Sequence, residues 1–249
     1  MFRSVLTAFL LATAAPAMAF EIETMTPGER DIFRSEIRDY LLENPEVLME
    51  AIAVLEDRRA QQAAQMEQQL LVDNHDALYN DGFSYVGGNP DGDVTMIEFL
   101  DYRCGYCKRA HPEVKALIEG DGGIRIIVKE FPILGEESEL AARYAIATKI
   151  VSGDEAYYAV HDKLMEWNGP VNAGALGRIS SGTGVDHDAA IAEMNSSEVS
   201  AIIATNRALA QTLQIQGTPS FVMGEAFIRG YLEPAQMRSM VEAVRADKG

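Results

Sequence analysis

The sequence predicts an α/β fold with a helical arm ahead of it, and three observations carry that reading. Residues 94–100 form an apolar, β-prone run, 104–118 a helix-compatible run and 124–128 a second β-prone run. Strand, helix and strand at this spacing make a right-handed βαβ unit with a parallel strand pair. A helical stretch, 138–213, then separates this unit from a short strand pair within 220–229 and from a closing helix.

Composition limits the function. The 249 residues suffice for one large domain, or for a smaller one with an appendage, and a hydrophobic share of 47% supports a packed core. Twenty-one basic against 38 acidic side chains leave a net charge of −17. Sequence-independent nucleic-acid binding rests on Lys and Arg contacts to phosphate, so nucleic acid is excluded as a partner, and docking on anionic lipid is disfavoured for the same reason.

The N-terminus reads as a targeting leader. Arg3 precedes an apolar run at 5–15, which at 11 residues is too short to span a bilayer, and Ala17-Met18-Ala19 fits a small-x-small cleavage site. We therefore expect a signal peptide at 1–19, cleaved after Ala19, with an uncleaved anchor as the competing reading. Export places the mature chain in an oxidising compartment, where cysteines either form structural pairs or do redox work.

The elements follow in order. Thr26-Pro27-Gly28-Glu29 combines an N-cap, a proline in the first turn and a capping glutamate. Ile32, Phe33, Ile37, Tyr40 and Leu41 then recur at helical spacing. Asn44-Pro45 breaks this helix, and a second one is expected to run as far as 80–82. Beyond Glu56 its apolar stripe thins to Ala60, Ala63 and Met66, as suits a connector or an oligomer seam, although a helix folded back on the core is the plainer alternative. Residues 83–87 alternate like an edge strand, and Asn89-Pro90-Asp91-Gly92 is a turn. Pro112 interrupts the helix that follows the 94–100 strand. After Gly217-Thr218-Pro219, residues 220–223 and 226–229 flank Gly224-Glu225 as a hairpin. Glu233-Pro234 opens the last helix, with Met237, Met240, Val241 and Val244 on one face.

The chemistry concentrates where strand 94–100 ends. Cys104 and Cys107 are the only cysteines in the chain. Such a pair can exchange disulfides, supply half a metal site or close a structural bond. Tetrahedral zinc needs four ligands, and no second pair is present, while His111 alone does not complete a site. A structural disulfide across so short a loop removes little chain entropy. Exchange is the reading that stands. Cys104 at a helix start gains from the free amides and the dipole there and is the expected nucleophile; Cys107, one turn in, is the expected resolving thiol. Gly105 and Tyr106 lie between the sulfurs and are expected to influence the redox poise. Glu98 interrupts an apolar strand and is expected to be a buried carboxyl that moves the Cys107 proton, against the alternative of an exposed edge residue. His111 is expected to tune Cys104 only weakly, His75, His161 and His187 to lie at the surface, and Trp167 to be core. The methionines do not cluster as a copper ladder.

The motif Glu98-Phe99-Leu100-Asp101-Tyr102-Arg103-Cys104-Gly105-Tyr106-Cys107-Lys108, with Gly217-Thr218-Pro219-Ser220-Phe221 far downstream, resembles the DsbA family of thiol–disulfide oxidoreductases. The resemblance implies a thioredoxin-like fold with a helical insertion, here about 134–213, between its second and third strands. It maps the family's cis-proline onto Pro219 and the substrate-facing residue before it onto Thr218, beside Gly105 and Tyr106, and its buried acid onto Glu98. Further upstream, Ile37-Arg38-Asp39-Tyr40-Leu41-Leu42-Glu43-Asn44-Pro45-Glu46-Val47-Leu48 resembles the N-terminal region of ScsC-like proteins, in which a helical arm mediates oligomerisation.

After the leader at 1–19, these resemblances imply an oligomerisation arm at 20–80 and a catalytic domain at 81–249. The expected protein is a periplasmic homo-oligomer, a trimer or tetramer, that isomerises or reduces disulfides in unfolded or misfolded exported proteins and is served by a membrane redox partner. No cofactor is expected beyond the Cys104–Cys107 disulfide itself. The alternatives are a monomeric dithiol oxidase and a copper(I)-binding protein that uses the two thiolates as soft ligands.

Overall fold

A computed structural model describes residues 24–246; the expected leader lies outside them. The chain divides after Ala60 into two units. In the first, α1 (Pro27–Glu43) begins at the expected capping box: Thr26 N–H donates to the Glu29 carboxylate at 2.9 Å, and Glu29 N–H donates to the Thr26 hydroxyl at 3.4 Å. The second helix, α2 (Glu46–Asp73), starts just after Pro45. No residue of α1 is buried, and Ile32, Ile37, Tyr40, Leu42, Leu48 and Ile52 are all exposed.

The second unit takes in the end of α2. This helix stops at Asp73 rather than near 80, and α3 (His75–Tyr79) follows. The break is at Asn74, whose side-chain amide donates to the Leu70 carbonyl at 2.8 Å and so competes with the helical backbone. Leu71 and Leu78 are buried among Ile97, Phe99 and Ile127. Lys129, fully buried, pins the same stretch by donating to the Ala77 carbonyl at 2.7 Å and pairing with Asp81 at 2.5 Å.

Among the described residues five strands make one sheet: β1 (Tyr85–Gly88), β2 (Val94–Leu100), β3 (Ile124–Glu130), β4 (Ser220–Met223) and β5 (Ala226–Arg229), in the order β1-β3-β2-β4-β5. The β2–β3 pair is parallel, as the βαβ reading requires, and the other pairs are antiparallel. Helix α4 (Gly105–Asp121) crosses between β2 and β3. The helical insertion comprises α5 (Glu136–Glu166), α6 (Ala173–Ser180), α7 (His187–Glu193) and α8 (Ser197–Thr212). It follows the third strand of the sheet rather than the second, because the edge strand β1 joins the sheet ahead of the parallel pair. Gly153, at φ 82°, breaks the helical backbone within α5. Helix α9 (Pro234–Ala246) closes the chain.

Period two along β2 sorts its side chains onto two faces. Ile97 and Phe99 join the layer formed by α3, the end of α2 and α8. Val94, Met96 and Leu100 join the layer formed by α4, α5 and α9, which also holds Cys107. Glu98 shares the parity of Met96 and Leu100 and therefore lies on the thiol side of the sheet. His161 departs from expectation: it is 3% exposed, because it stands one helical turn from Tyr157 and shares that residue's inward face. Leu78 is fully buried at the seam between α3 and the sheet. Leu78→Ala is expected to lower the unfolding free energy by about 2–5 kcal/mol, read as a shifted urea midpoint at unchanged slope.

Candidate active site

The site is assembled at the end of β2. Its backbone turns through Asp101 to Arg103, and Cys104 (φ −74°, ψ 116°) becomes the N-cap of α4. In that position the sulfur faces orphan helical amides: Cys107 N–H donates to Cys104 Sγ at 3.5 Å. Cys104 and Cys107 are unbridged thiols here, 7% and 0% exposed. A hydrogen bond from the Cys107 thiol pulls the Cys104 thiol down to about 5, against the opposing effect of burial. Hydrogen bonding with Thr218 and with the Cys107 and Tyr106 amides acts in the same direction. Burial pushes the Cys107 thiol far up, and the Cys104 bond and the Glu98 charge add to this. At neutral pH the outer sulfur is a thiolate and the inner one a thiol, which is the division of labour exchange needs.

The second wall comes from the chain 114 residues further on, where the Cys104 thiol donates to the Thr218 carbonyl at 3.1 Å. The Thr218–Pro219 peptide is cis. The loop is fixed on both sides: Ser220 Oγ donates to the Gly217 carbonyl at 2.8 Å, and Gly230 N–H to the Pro219 carbonyl at 2.9 Å. On the open side, Tyr106 is 62% exposed, and a Cβ at Gly105 would meet nothing within 4 Å. Thr218, Pro219, Gly105 and Tyr106 thus form one rim around the Cys104 sulfur.

Glu98 sits behind the thiols. It is 4% exposed and central in β2, opposite Val128 on one side and Phe221 on the other, so the edge-exposed alternative fails. Burial raises its carboxyl to about 8, with the charges of Glu130 and Cys104 adding to the shift. A carboxyl so placed can hold or release a proton near neutrality.

Several residues of the site have no clear signal in the sequence. Glu130, at the end of β3, is also buried and raised to about 8 by burial; hydrogen bonds from Tyr157 and Tyr102 oppose that rise. Both tyrosines donate to Glu130 Oε1 at 2.7 Å. Asp101 is 1% exposed and fastens the loop before Cys104 to the start of the insertion. It accepts from Arg103 N–H and Ser138 Oγ, each at 2.7 Å, and from Ile133 and Leu134 N–H at 2.8 and 3.0 Å. Arg103 and Lys108 reach the carbonyls of Gly169 and Trp167 respectively, tying α4 to the end of α5 and the loop after it. His111 turns to α5: its Nε2 lies 2.9 Å from Asp162, and its ring meets His161 edge-on at 5.0 Å. Trp167 is half-buried, with Arg178 over its ring at 5.3 Å.

The depressed Cys104 thiol sets a pH dependence with a definite sign. The folded state favours the thiolate, so between about 5 and the ordinary thiol value of 9 the unfolded chain binds more protons. This contribution is complete above 9 and disappears as pH falls through about 5. The stability difference between the reduced protein and Cys104→Ser should therefore widen as pH rises across that window. Parallel urea titrations measure it, and thiolate ultraviolet absorbance should titrate near 5 and vanish in the variant.

Residues 81–243 match a family described as thioredoxin, and residues 29–62 match the copper resistance protein ScsC N-terminal domain. A thioredoxin-like oxidoreductase from Silicibacter pomeroyi is 43% identical, with TM-score 0.65, over 71% of this chain and 99% of its own. A linker-deletion mutant of Proteus mirabilis ScsC is 26% identical, with TM-score 0.67, over 91% of this chain and all of its own. Bacillus subtilis disulfide bond formation protein D is 24% identical over 62% of this chain and 74% of its own length. Two Salinispora Na(+)/H(+) antiporters, 25% and 26% identical, match 55% of this chain but only 21% of their own length. With a cysteine pair capping α4 and the Thr218–Pro219 loop against it, the chain belongs to the thioredoxin family, and its fold is similar to that of ScsC.

Proposed function

We propose that the protein is a periplasmic protein-disulfide isomerase or reductase that works as a homo-oligomer. The observation that carries the chemistry is the opposite displacement of two thiols one helical turn apart, Cys104 down and Cys107 up. Cys104 is the attacking thiolate. The client disulfide opens, one client sulfur leaves as thiolate, and the other is held by Cys104 in a mixed disulfide. Cys107 then gives its proton to Glu98 and attacks the Cys104 sulfur, which closes the Cys104–Cys107 disulfide and releases the second client sulfur as thiolate. The client gains two electrons and the enzyme loses two. In isomerisation, a client thiolate displaces Cys104 instead, and no net electrons move. Thr218, Pro219, Gly105 and Tyr106 contact the client segment that carries the disulfide. The clients are unfolded or misfolded exported proteins, and a membrane redox partner restores the working redox state of the enzyme.

The oligomer reading rests on the arm, proposed as residues 20–80. Its exposed apolar side chains on α1 and the first turns of α2, Ile32 through Ile52, are more than a monomer's surface normally shows together, and the match to the ScsC N-terminal domain supports the same role. Periplasmic placement rests on the leader pattern at 1–19. The mature chain is expected to refold a scrambled-disulfide client and to sediment as a trimer or tetramer. Deletion of residues 20 to about 70 should give a monomer that still reacts with small disulfides but loses most of its isomerase activity. A monomeric full-length chain would remove the arm's role, and a strongly oxidising reduction potential would favour the monomeric oxidase reading instead.

A second reading is favoured by the copper-resistance description of the matched N-terminal family and by two adjacent thiols. Cys104 and Cys107 would bind copper(I) as soft ligands. Copper(I) titration should then show binding at micromolar metal that Cys104→Ser abolishes; absence of binding in the parent chain rejects it.

A further inference from the structure

The buried carboxyl behind the thiols opens onto a cavity that has no part in the exchange steps themselves. Glu98 forms part of the lining of a space of about 160 Å³ between β2, β3, α4 and α5. One water needs only roughly 10–15 Å³ of such space, so several fit. The Glu98 carboxyl makes no hydrogen bond to any described residue, although the side chain is more than nine-tenths buried. A buried polar group without a protein partner is normally met by water.

His161, His111 and Lys115 of the lining form a graded series with Asp162, which stands outside the lining and pairs with the last two. His161 is 3% exposed, the His111 side chain 13%, Asp162 22% and Lys115 36%. Consecutive members touch: the two imidazoles meet at 5.0 Å, His111 Nε2 lies 2.9 Å from Asp162 Oδ1, and Lys115 donates to Asp162 Oδ2 at 2.5 Å. On its inner side, His161 Nδ1 lies 3.0 Å from Tyr102 Oη, which donates to Glu130. Tyr85 from β1, Tyr158 from α5 and Glu119 from α4 complete the titratable lining.

We propose that this cavity is a water-filled proton conduit, and that His111, oriented by Asp162, relays protons between Glu98 and solvent during resolution of the mixed disulfide. The proposal rests on the exchange reading above. When Cys107 attacks, its S–H proton passes to the Glu98 carboxylate as the Cys104–Cys107 bond forms and the client thiolate leaves. That proton must then depart before Glu98 can accept another. Burial keeps Glu98 mostly protonated at neutral pH and holds His161 neutral, down to about 3, with the charges of His111 and Lys115 adding to this. Proton loss from Glu98 therefore lies on the reaction path, and neither β2 nor the thiol rim offers it a hydrogen-bond partner among the described residues. His111 and His161 do not touch the sulfurs; they are positioning residues that act through Glu98.

The test separates the two steps. A Cys107→Ser protein and oxidised glutathione report the attack of Cys104, because the mixed disulfide accumulates and is weighed by mass spectrometry. Resolution is then followed by stopped flow in His111→Ala and His111→Gln proteins that keep both cysteines. Resolution at neutral pH is expected to slow about tenfold, part of the 10²–10⁴ a direct proton acceptor supplies. Added imidazole should restore the rate in His111→Ala, which leaves room for it, with a linear dependence on imidazole concentration, while the Cys104 thiolate titration stays in place. Wild-type resolution rates in both variants overturn the proposal. So does a slowed His111→Ala that imidazole fails to accelerate, since a merely structural loss would not respond. If Cys104 forms no mixed disulfide at all, the exchange reading fails and takes the conduit with it.

Discussion

The pairing of β2 with β4 is the constraint on which the site depends. Phe99 lies opposite Ser220 in that antiparallel pair, so the end of β2 and the start of β4 share one edge of the sheet. The chain leaves β2 towards Cys104 and enters β4 from Pro219, and the register thereby delivers a thiol and a carbonyl from distant sequence to 3.1 Å. A slip of one residue would turn Glu98 and the core positions beside it to the opposite face. Register is held because both faces of β2 are covered by apolar layers, with Ile97 and Phe99 on one side and Met96 and Leu100 on the other. Packing here fixes chemistry: the alternation that buries Met96 and Leu100 also puts Glu98 beneath the thiols.

Burial then acts on the titratable groups in opposite senses, according to what compensates it. Cys104 is covered but sits at a helix N-terminus with amides and the Cys107 thiol directed at it, so its charged form is favoured. Cys107, three residues further into the same helix, has burial that a backbone hydrogen bond at Asp101 does not offset, and stays neutral. Burial raises both Glu98 and Glu130, and beside it the charge of Glu130 disfavours ionisation of Glu98 while that of Asp101 disfavours ionisation of Glu130. Tyr102 and Tyr157 partly relieve Glu130 by donating to it, and Glu98 has no such donors. Of the two carboxyls, the one nearer the sulfurs lines the cavity beside α4 and α5, while the other is held by the two tyrosines.

Much of this is legible in the sequence because strands and caps are local. The run 94–100, the hairpin about Gly224-Glu225 and the capping box at Thr26 come from patterns only a few residues long, and each stands where expected. Glu98 is legible as a break in an apolar strand, although its face requires the sheet. Asp101 is not: its role comes from two loops meeting, and nothing in Leu100-Asp101-Tyr102 indicates that Ile133, Leu134 and Ser138 will arrive there. Glu130 and Tyr157 are likewise joined only by tertiary packing. His161 is buried against expectation because its place on the helical turn outweighs its polar chemistry; Tyr157 and Leu164 already mark the inward face of α5. The end of α2 falls earlier than its pattern implies because Asn74 acts through its own side chain, a competition that helical periodicity does not register.

The proposed arm lies far from the sulfurs in sequence, and its effect on exchange is of a different physical kind from theirs. Thiol–disulfide exchange is reversible at every step, and the direction of net flow depends on the thiolate each sulfur can sustain. Those affinities are fixed locally, by the cap of α4, the Thr218 carbonyl and the buried carboxyls. The assembly proposed for the arm would act on another quantity, the effective concentration of second and third thiol pairs near a client already held by one. A client released by the attack of Cys107 leaves reduced; one held among several sites would have time for its own thiol to return and displace Cys104 first. On the proposed reading, the same Cys104-Gly105-Tyr106-Cys107 chemistry would then yield reshuffled rather than reduced disulfides, with the choice set by residence time rather than by the redox centre.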